Sequence, residues 1–310
     1  IENTMKKILV IGTYILDIVI KDQEYNIPDP DNLEIIDTCE ITIGGNACNV
    51  SYNLSCLGNL VDSYGRVAND FAGQYIIRNL VEKKIGIEYV EIVNNGKTGI
   101  YIILVDEGGE KRIQQFWGEN KESSFSRNID FSQYSIVIIT GLGLLPLIEC
   151  ELENIIWKLK QNNIIIVADN SSNVLPLVDI VNNNKMKGID YFIPNEREVL
   201  ELTGCKSIEQ SIDYLLEKGI LNIIVKQGKE GCYYGNKKFK IHVPAFNVNV
   251  IDTTGAGDAF VASFVHALSR GKNVDYCLRF GNAVGAECVK KIGATNDKLN
   301  KERIINNYEL

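Results

Sequence analysis

Between residues 135 and 225, short β-branched runs take turns with helical patterns, and this alternation narrows the possible folds more than any other feature. The runs fall at 135–140, 164–168, 191–193 and 222–225, and apolar residues at helical spacing fill 147–159, 174–181, 196–202 and 208–216. Strands and helices alternating at this spacing predict an α/β protein with a mostly parallel sheet and helices on both faces. A run at 7–11, closed by Gly12, adds a further buried strand. Such sheets bind ligands at the carboxyl ends of their strands. Asp17, Gly44-Gly45, Asn195 and Asp258 all come after strand runs, so the fold class alone gathers them on one edge.

The chain of 310 residues has ample core for one large α/β domain or two smaller ones. No interdomain linker, repeat or low-complexity tract divides it, so a single domain over 5–310 is expected. Residues 1–4 precede Met5 and are left out of the fold. A net charge of −8 argues against a nucleic-acid or anionic-membrane partner. It does not argue against a nucleotide, whose phosphates need only local donors. Eight scattered cysteines form no CxxC pair and only two histidines exist, which argues against zinc. Buried thiols in a reducing compartment are the default reading. With no signal peptide and no span of about 18 apolar residues, a cytoplasmic protein is expected.

The stretch from 246 to 268 concentrates the chemistry. Residues 246–251 read as a strand, Gly255 and Gly257 interrupt the run, and 259–268 reads as a helix. A glycine-rich strand-to-helix turn offers free backbone N–H groups at the positive end of a helix dipole, which favours anions. Asp258 lies in that turn. Beside an anion site a carboxylate is unfavourable unless it takes a proton from an attacking hydroxyl. It could equally be an ordinary N-cap.

Elsewhere the signals are weaker. Asp17 interrupts an aliphatic stretch, 14–20, where an unpaired acid is costly, although a turn or solvent-facing position would also explain it. Gly44-Gly45 opens a helical pattern that ends near Leu57, a place where a ligand can approach the backbone or where the turn is simply structural. Residues 26–31 form a loop, 71–83 a helix, and runs at 98–105 and 112–117 around 106–110 form a hairpin. Asn195 and Glu198 stand one helical turn apart, with oxygens suited to a hydrated Mg²⁺ or to a capping box. A final helix is expected over 280–293.

The stretch Asp252-Thr253-Thr254-Gly255-Ala256-Gly257-Asp258 resembles, without a break, the D-T-x-G-A-G-D signature of the ribokinase-like (PfkB) carbohydrate kinase family. Gly44-Gly45-Asn46-Ala47-Cys48-Asn49 resembles the family's G-G-x-x-x-N, Gly12 to Asp17 its Gly-x-x-x-x-Asp, and Gly118-Glu119-Asn120 its G-A-N. The resemblance implies a ribokinase-like domain with a small β lid, from segments near 14–43 and 96–118. It implies transfer of the ATP γ-phosphoryl group to a primary sugar hydroxyl, with Asp258 as base and Gly255, Ala256 and Gly257 as anion hole. Asp17, Gly44, Gly45 and Asn49 would hold the acceptor. Asn195, Lys226, Gly228, Gly231 and Asn282 would border the nucleotide, and Glu198 would organise Mg²⁺ through water. Asp252 would join 293–296 around a monovalent cation such as K⁺, and two copies could pair through the lid.

Three departures stand out. Ile15 occupies a position where ribokinase carries Asn, Lys226 one where Thr is common, and Asn296 one where Ser is common. The acceptor could instead be a nucleoside, and a non-catalytic nucleotide-binding regulator would share the fold, although the intact Asp258 turn counts against that. An NAD-dependent dehydrogenase is disfavoured because the turn is not GxGxxG, with Phe260 at the sixth place.

Overall fold

In β1 (Lys7–Ile11), Ile8 and Val10 pack into one hydrophobic core while Leu9 and Ile11 pack into another. Successive side chains of a strand point to opposite faces, so a run apolar at every position belongs to a sheet covered on both sides. The same division holds at Ile136 and Ile138 against Val137 and Ile139, and at Ile224 against Ile223 and Val225. The computed structural model describes residues 6–21, 36, 38–105, 111–171, 173–290, 293 and 299–310. The expected loop at 26–31, the hairpin turn at 106–110 and Asn296 lie outside them.

The remaining strands of the large sheet are β4 (Val61–Ala68), β5 (Gly86–Val93), β8 (Tyr134–Leu142), β9 (Ile165–Asn170), β10 (Tyr191–Phe192), β11 (Asn222–Lys226), β12 (Cys232–Asn236) and β13 (Lys240–Val243). Their order is β13-β12-β11-β10-β9-β8-β1-β4-β5, parallel except where β12 meets β11 and β13. The order reverses between β1 and β8, and such switch points open a crevice at the carboxyl ends of the strands. Helices α1 (Asn46–Cys56), α2 (Phe71–Glu82), α8 (Ala256–Ser269) and α9 (Val274–Cys288) cover one face. Helices α3 (Pro146–Cys150), α4 (Leu152–Gln161), α5 (Leu175–Asn182), α6 (Glu196–Thr203) and α7 (Ile208–Glu217) cover the other. A last helix, α10 (Lys301–Tyr308), packs on α9's side. None of the helices among the described residues is long and apolar enough to cross a membrane.

A second, four-stranded sheet has the order β3-β2-β6-β7, from β2 (Ile15–Lys21), β3 (Thr38–Gly44), β6 (Gly99–Val105) and β7 (Lys111–Phe116). The hairpin read at 98–105 and 112–117 is present, with β6 and β7 antiparallel. Asn120 fastens this sheet to the end of β1: its Oδ1 accepts from Tyr14 N–H at 2.8 Å and its Nδ2 donates to Tyr14 O at 2.9 Å.

Three expectations need correction. Residues 246–251 form no strand: past the edge strand β13 the backbone runs to the end of α9 instead of pairing again with the sheet. Phe246 and Val248 lean on the core while Val250 and Ile251 stay exposed. The N–H groups of Ile251 and Asp252 donate to Val289 O, at 2.7 and 3.2 Å. The last long helix runs over Val274–Cys288 rather than 280–293; Asn273 caps its start through a bond from Tyr276 N–H. The pattern at 147–159 splits into α3 and α4 at Glu151.

Candidate active site

Gly255 is the N-cap of helix α8, and its φ of 74° is left-handed and favours glycine. Ala256 N–H closes the turn onto Thr253 O at 3.3 Å, and Gly255 and Gly257 line a cleft of about 390 Å³. Asp258 is therefore the third residue of the helix and not its N-cap. Each oxygen of its carboxylate accepts one amide: Oδ1 from Asn46 Nδ2 at 3.0 Å and Oδ2 from Asn49 Nδ2 at 2.8 Å. Burial raises its pKa, while the two amides and the nearby Lys226 pull the other way.

The two asparagines come from the first turn of α1, where Asn46 and Asn49 share a face at i, i+3 spacing. Gly45 is the N-cap, and Asn46 N–H donates to Thr13 Oγ1 at 3.1 Å, which docks the helix onto the end of β1. Asn49 Oδ1 is buried and has no hydrogen-bond partner among the described residues.

Asp17 does not follow a strand; it lies inside β2, level with Thr42 and with Tyr101, which lines the cleft. Its carboxyl group leans over Gly44, where a Cβ would meet Asp17 Oδ2 at 2.1 Å and push the carboxyl group from its place. Asp17 is 6 % exposed, and its Oδ1 has no hydrogen-bond partner among the described residues. Burial, and then the charge of Asp258, push its pKa up to about 7.

On the opposite side of the cleft, Asn195 caps α6. Its Oδ1 accepts from Glu198 N–H and its own N–H donates to Glu198 Oε2, both at 2.8 Å, so the capping box foreseen as an alternative is present. Both residues also line the cleft, so capping and ligand contact are compatible. Gly228 reaches the cleft. Gly231 does not line it: its Cα packs against the backbone of Val243 to Ala245. Asn282 supports that same stretch, donating to Val243 O at 3.1 Å and Pro244 O at 3.0 Å. Asp252 ties the turn before α8 to Gly293, with Oδ1 accepting from Thr254 N–H and Oγ1, and Oδ2 from Gly293 N–H.

The sequence reading passed over Asn46, Tyr101, Gln115, Asp169, Asn170 and Ser171, all of which line the cleft. Asp169 and Asn170 end β9, so the rule that singled out the other strand ends would have found them. Tyr101 and Gln115 gave no signal, because a strand does not reveal which face it turns to a ligand.

A parallel sheet with a glycine-rich helix start, a buried acid beside it and a small second sheet defines a phosphotransferase of the ribokinase fold. The chain belongs to the pfkB family of carbohydrate kinases, whose sequence profile matches residues 5–301. It is 28% identical to an uncharacterised sugar kinase of Archaeoglobus fulgidus over 78% of this chain and 96% of that protein. It is 27% identical to the deoxyribokinase of Salmonella typhi, over 88% of this chain and 89% of the other. The crystal structure of ribokinase from Thermotoga maritima superposes with a TM-score of 0.81 at 26% identity, covering 98% of this chain and 99% of that one.

Proposed function

We propose that the protein transfers the γ-phosphoryl group of ATP to a primary hydroxyl of a sugar held beneath the small sheet, which acts as a lid. The observation that carries this reading is the Asp258 carboxylate, buried in the first turn of α8 beside the Gly255–Gly257 backbone. A carboxylate there is electrostatically costly for an anion site and useful to a hydroxyl that must lose its proton. Among the described residues nothing donates to the buried Asp17 Oδ1 or Asn49 Oδ1, and a polyol supplies donors.

Transfer then follows from positions. Asp17 and Asn49 orient the acceptor, and the approaching hydroxyl replaces one amide on Asp258 and gives its proton to that carboxylate. The acceptor oxygen bonds to the γ-phosphorus as the bond to the β–γ bridging oxygen breaks, and ADP leaves with that electron pair. The N-terminal amides of α8 face the charge that develops. The described lining of the cleft carries three carboxylates, Asp169, Glu198 and Asp258, against one lysine. Nucleotide phosphates entering such a cleft need further positive charge, which hydrated Mg²⁺ supplies when bound near Asn195 and Glu198. Asp252 and Gly293 are the proposed surroundings of a K⁺ ion.

The test is ADP release with a panel of pentoses, deoxypentoses, hexoses, sugar phosphates and nucleosides, run on wild type and on Asp258→Asn. Losing a general base costs about 10²–10⁴-fold in kcat, and ADP affinity should barely change. Turnover by Asp258→Asn within about threefold of wild type would remove the base from the mechanism.

A further inference from the structure

Among the described residues that line the cleft, Lys226 is the single basic side chain. It ends β11, and its Nζ donates to Asp169 Oδ1, at the end of β9, at 2.9 Å. A Cβ placed on Gly257 would lie 3.4 Å from the same nitrogen. The ammonium therefore stands against the backbone of the α8 turn where an anion is expected. Only 14% of the Lys226 side chain and 2% of that of Asp169 is exposed, and the lysine opens onto the cleft. Glu198 and Asp258 also act on this ammonium, and with Asp169 they outweigh the effect of burial and keep it charged. Stability alone is a weak reason for such an arrangement, because a buried ion pair is often no better than apolar residues of the same volume.

We propose that Lys226 is a catalytic residue of phosphoryl transfer, its ammonium bearing on the phosphoryl group as it moves, and that Asp169 is the positioning residue that holds it beside Gly257. The inference rests on the kinase reading above and assigns its cation. As the acceptor oxygen bonds to phosphorus and the bond to the bridging oxygen breaks, negative charge gathers on the bridging and peripheral oxygens. A fixed cation shielded from water favours that distribution over the ground state. A lysine ammonium has three N–H donors, so one can stay on Asp169 while two remain for phosphoryl oxygens. Asp169 takes no proton in this scheme; the hydroxyl proton goes to Asp258.

Lys226→Met alone strands a buried carboxylate and could fail to fold. The informative variant is therefore Lys226→Met with Asp169→Asn, which leaves no charge behind. Calorimetric titration with Mg-ADP, and with Mg-ADP plus fluoroaluminate and the acceptor identified by the panel, separates ground state from transition state. For the double variant the expected result is a normal thermal transition and ADP affinity within about threefold of wild type. Its fluoroaluminate complex should bind roughly 10²–10³-fold more weakly, with kcat lowered to match. Asp169→Asn alone should lower kcat by less and leave the acceptor KM unchanged. A double variant that binds the fluoroaluminate complex as tightly as wild type, or keeps kcat, makes the pair structural and overturns the proposal. A wild-type protein that binds ADP no better with fluoroaluminate and releases no ADP with any acceptor overturns the kinase reading itself.

Discussion

At Asp17 burial works against ionisation, and the consequence can be measured. In an unfolded chain this carboxyl group ionises at about pH 3.9, whereas in the fold it does so at about 7. Between those values the unfolded state gives up its proton first, so wild-type stability falls as pH rises through the window and remains lower above it. An amide at this position has no proton to lose. Asp17→Asn should therefore melt above wild type at pH 8, with the difference vanishing below about pH 4. A tenfold change in an equilibrium is about 1.4 kcal/mol, so a gain of up to a few kcal/mol is expected. The same variant should lower acceptor kcat/KM by about 10-fold or more, since a hydrogen bond to a charged group contributes about 1.5–3 kcal/mol. A melting difference that does not change with pH would mean that the carboxyl is ionised normally and has other partners. Stability and activity moving in opposite directions are the mark of a residue kept for binding.

Helix α6 shows one element serving two ends, and Glu198→Gln separates them. Glutamine suits the third position of a capping box, so the helix and the melting temperature should be preserved. The negative charge is lost, so the Mg²⁺ concentration for half-maximal rate should rise several-fold while the sugar KM stays put. An unchanged Mg²⁺ curve would confine Glu198 to capping. In the same assay, replacing K⁺ by tetramethylammonium at constant ionic strength should slow turnover if Asp252 and Gly293 border a cation. Equal rates would exclude it. At this scale the chain was most readable where apolar runs are buried on both faces, as in β1, β8, β9 and β11. It was least readable at 246–251, since an apolar run makes a strand only if its backbone pairs with a neighbouring strand, and here Ile251 N–H goes instead to Val289 O at the end of α9. Asp258 illustrates the remaining gap: the motif marked the residue, but its two amide partners come from a helix more than two hundred positions away. No local pattern records that Asn46 and Asn49 turn toward it.

The small sheet leaves Ile41, Ile113 and Phe116 exposed at 44, 49 and 54%. Strands β3 and β7 form its open edges. Open edges carrying apolar side chains favour pairing, and a second copy of the same chain through this sheet is the expected occupant. Sedimentation should find wild type as a dimer and Phe116→Lys as a monomer; a monomeric wild type would dismiss the interface. The hydrogen bonds from α1 to Asp258 also bear on how the protein comes to life during synthesis. Asp17 and Asn49, the residues proposed to hold the acceptor, are synthesised more than two hundred positions before Asp258, the proposed base. A nascent chain halted before Asp258 lacks α8 and α9, which share one of the two cores with α1, so it can complete neither that core nor the site.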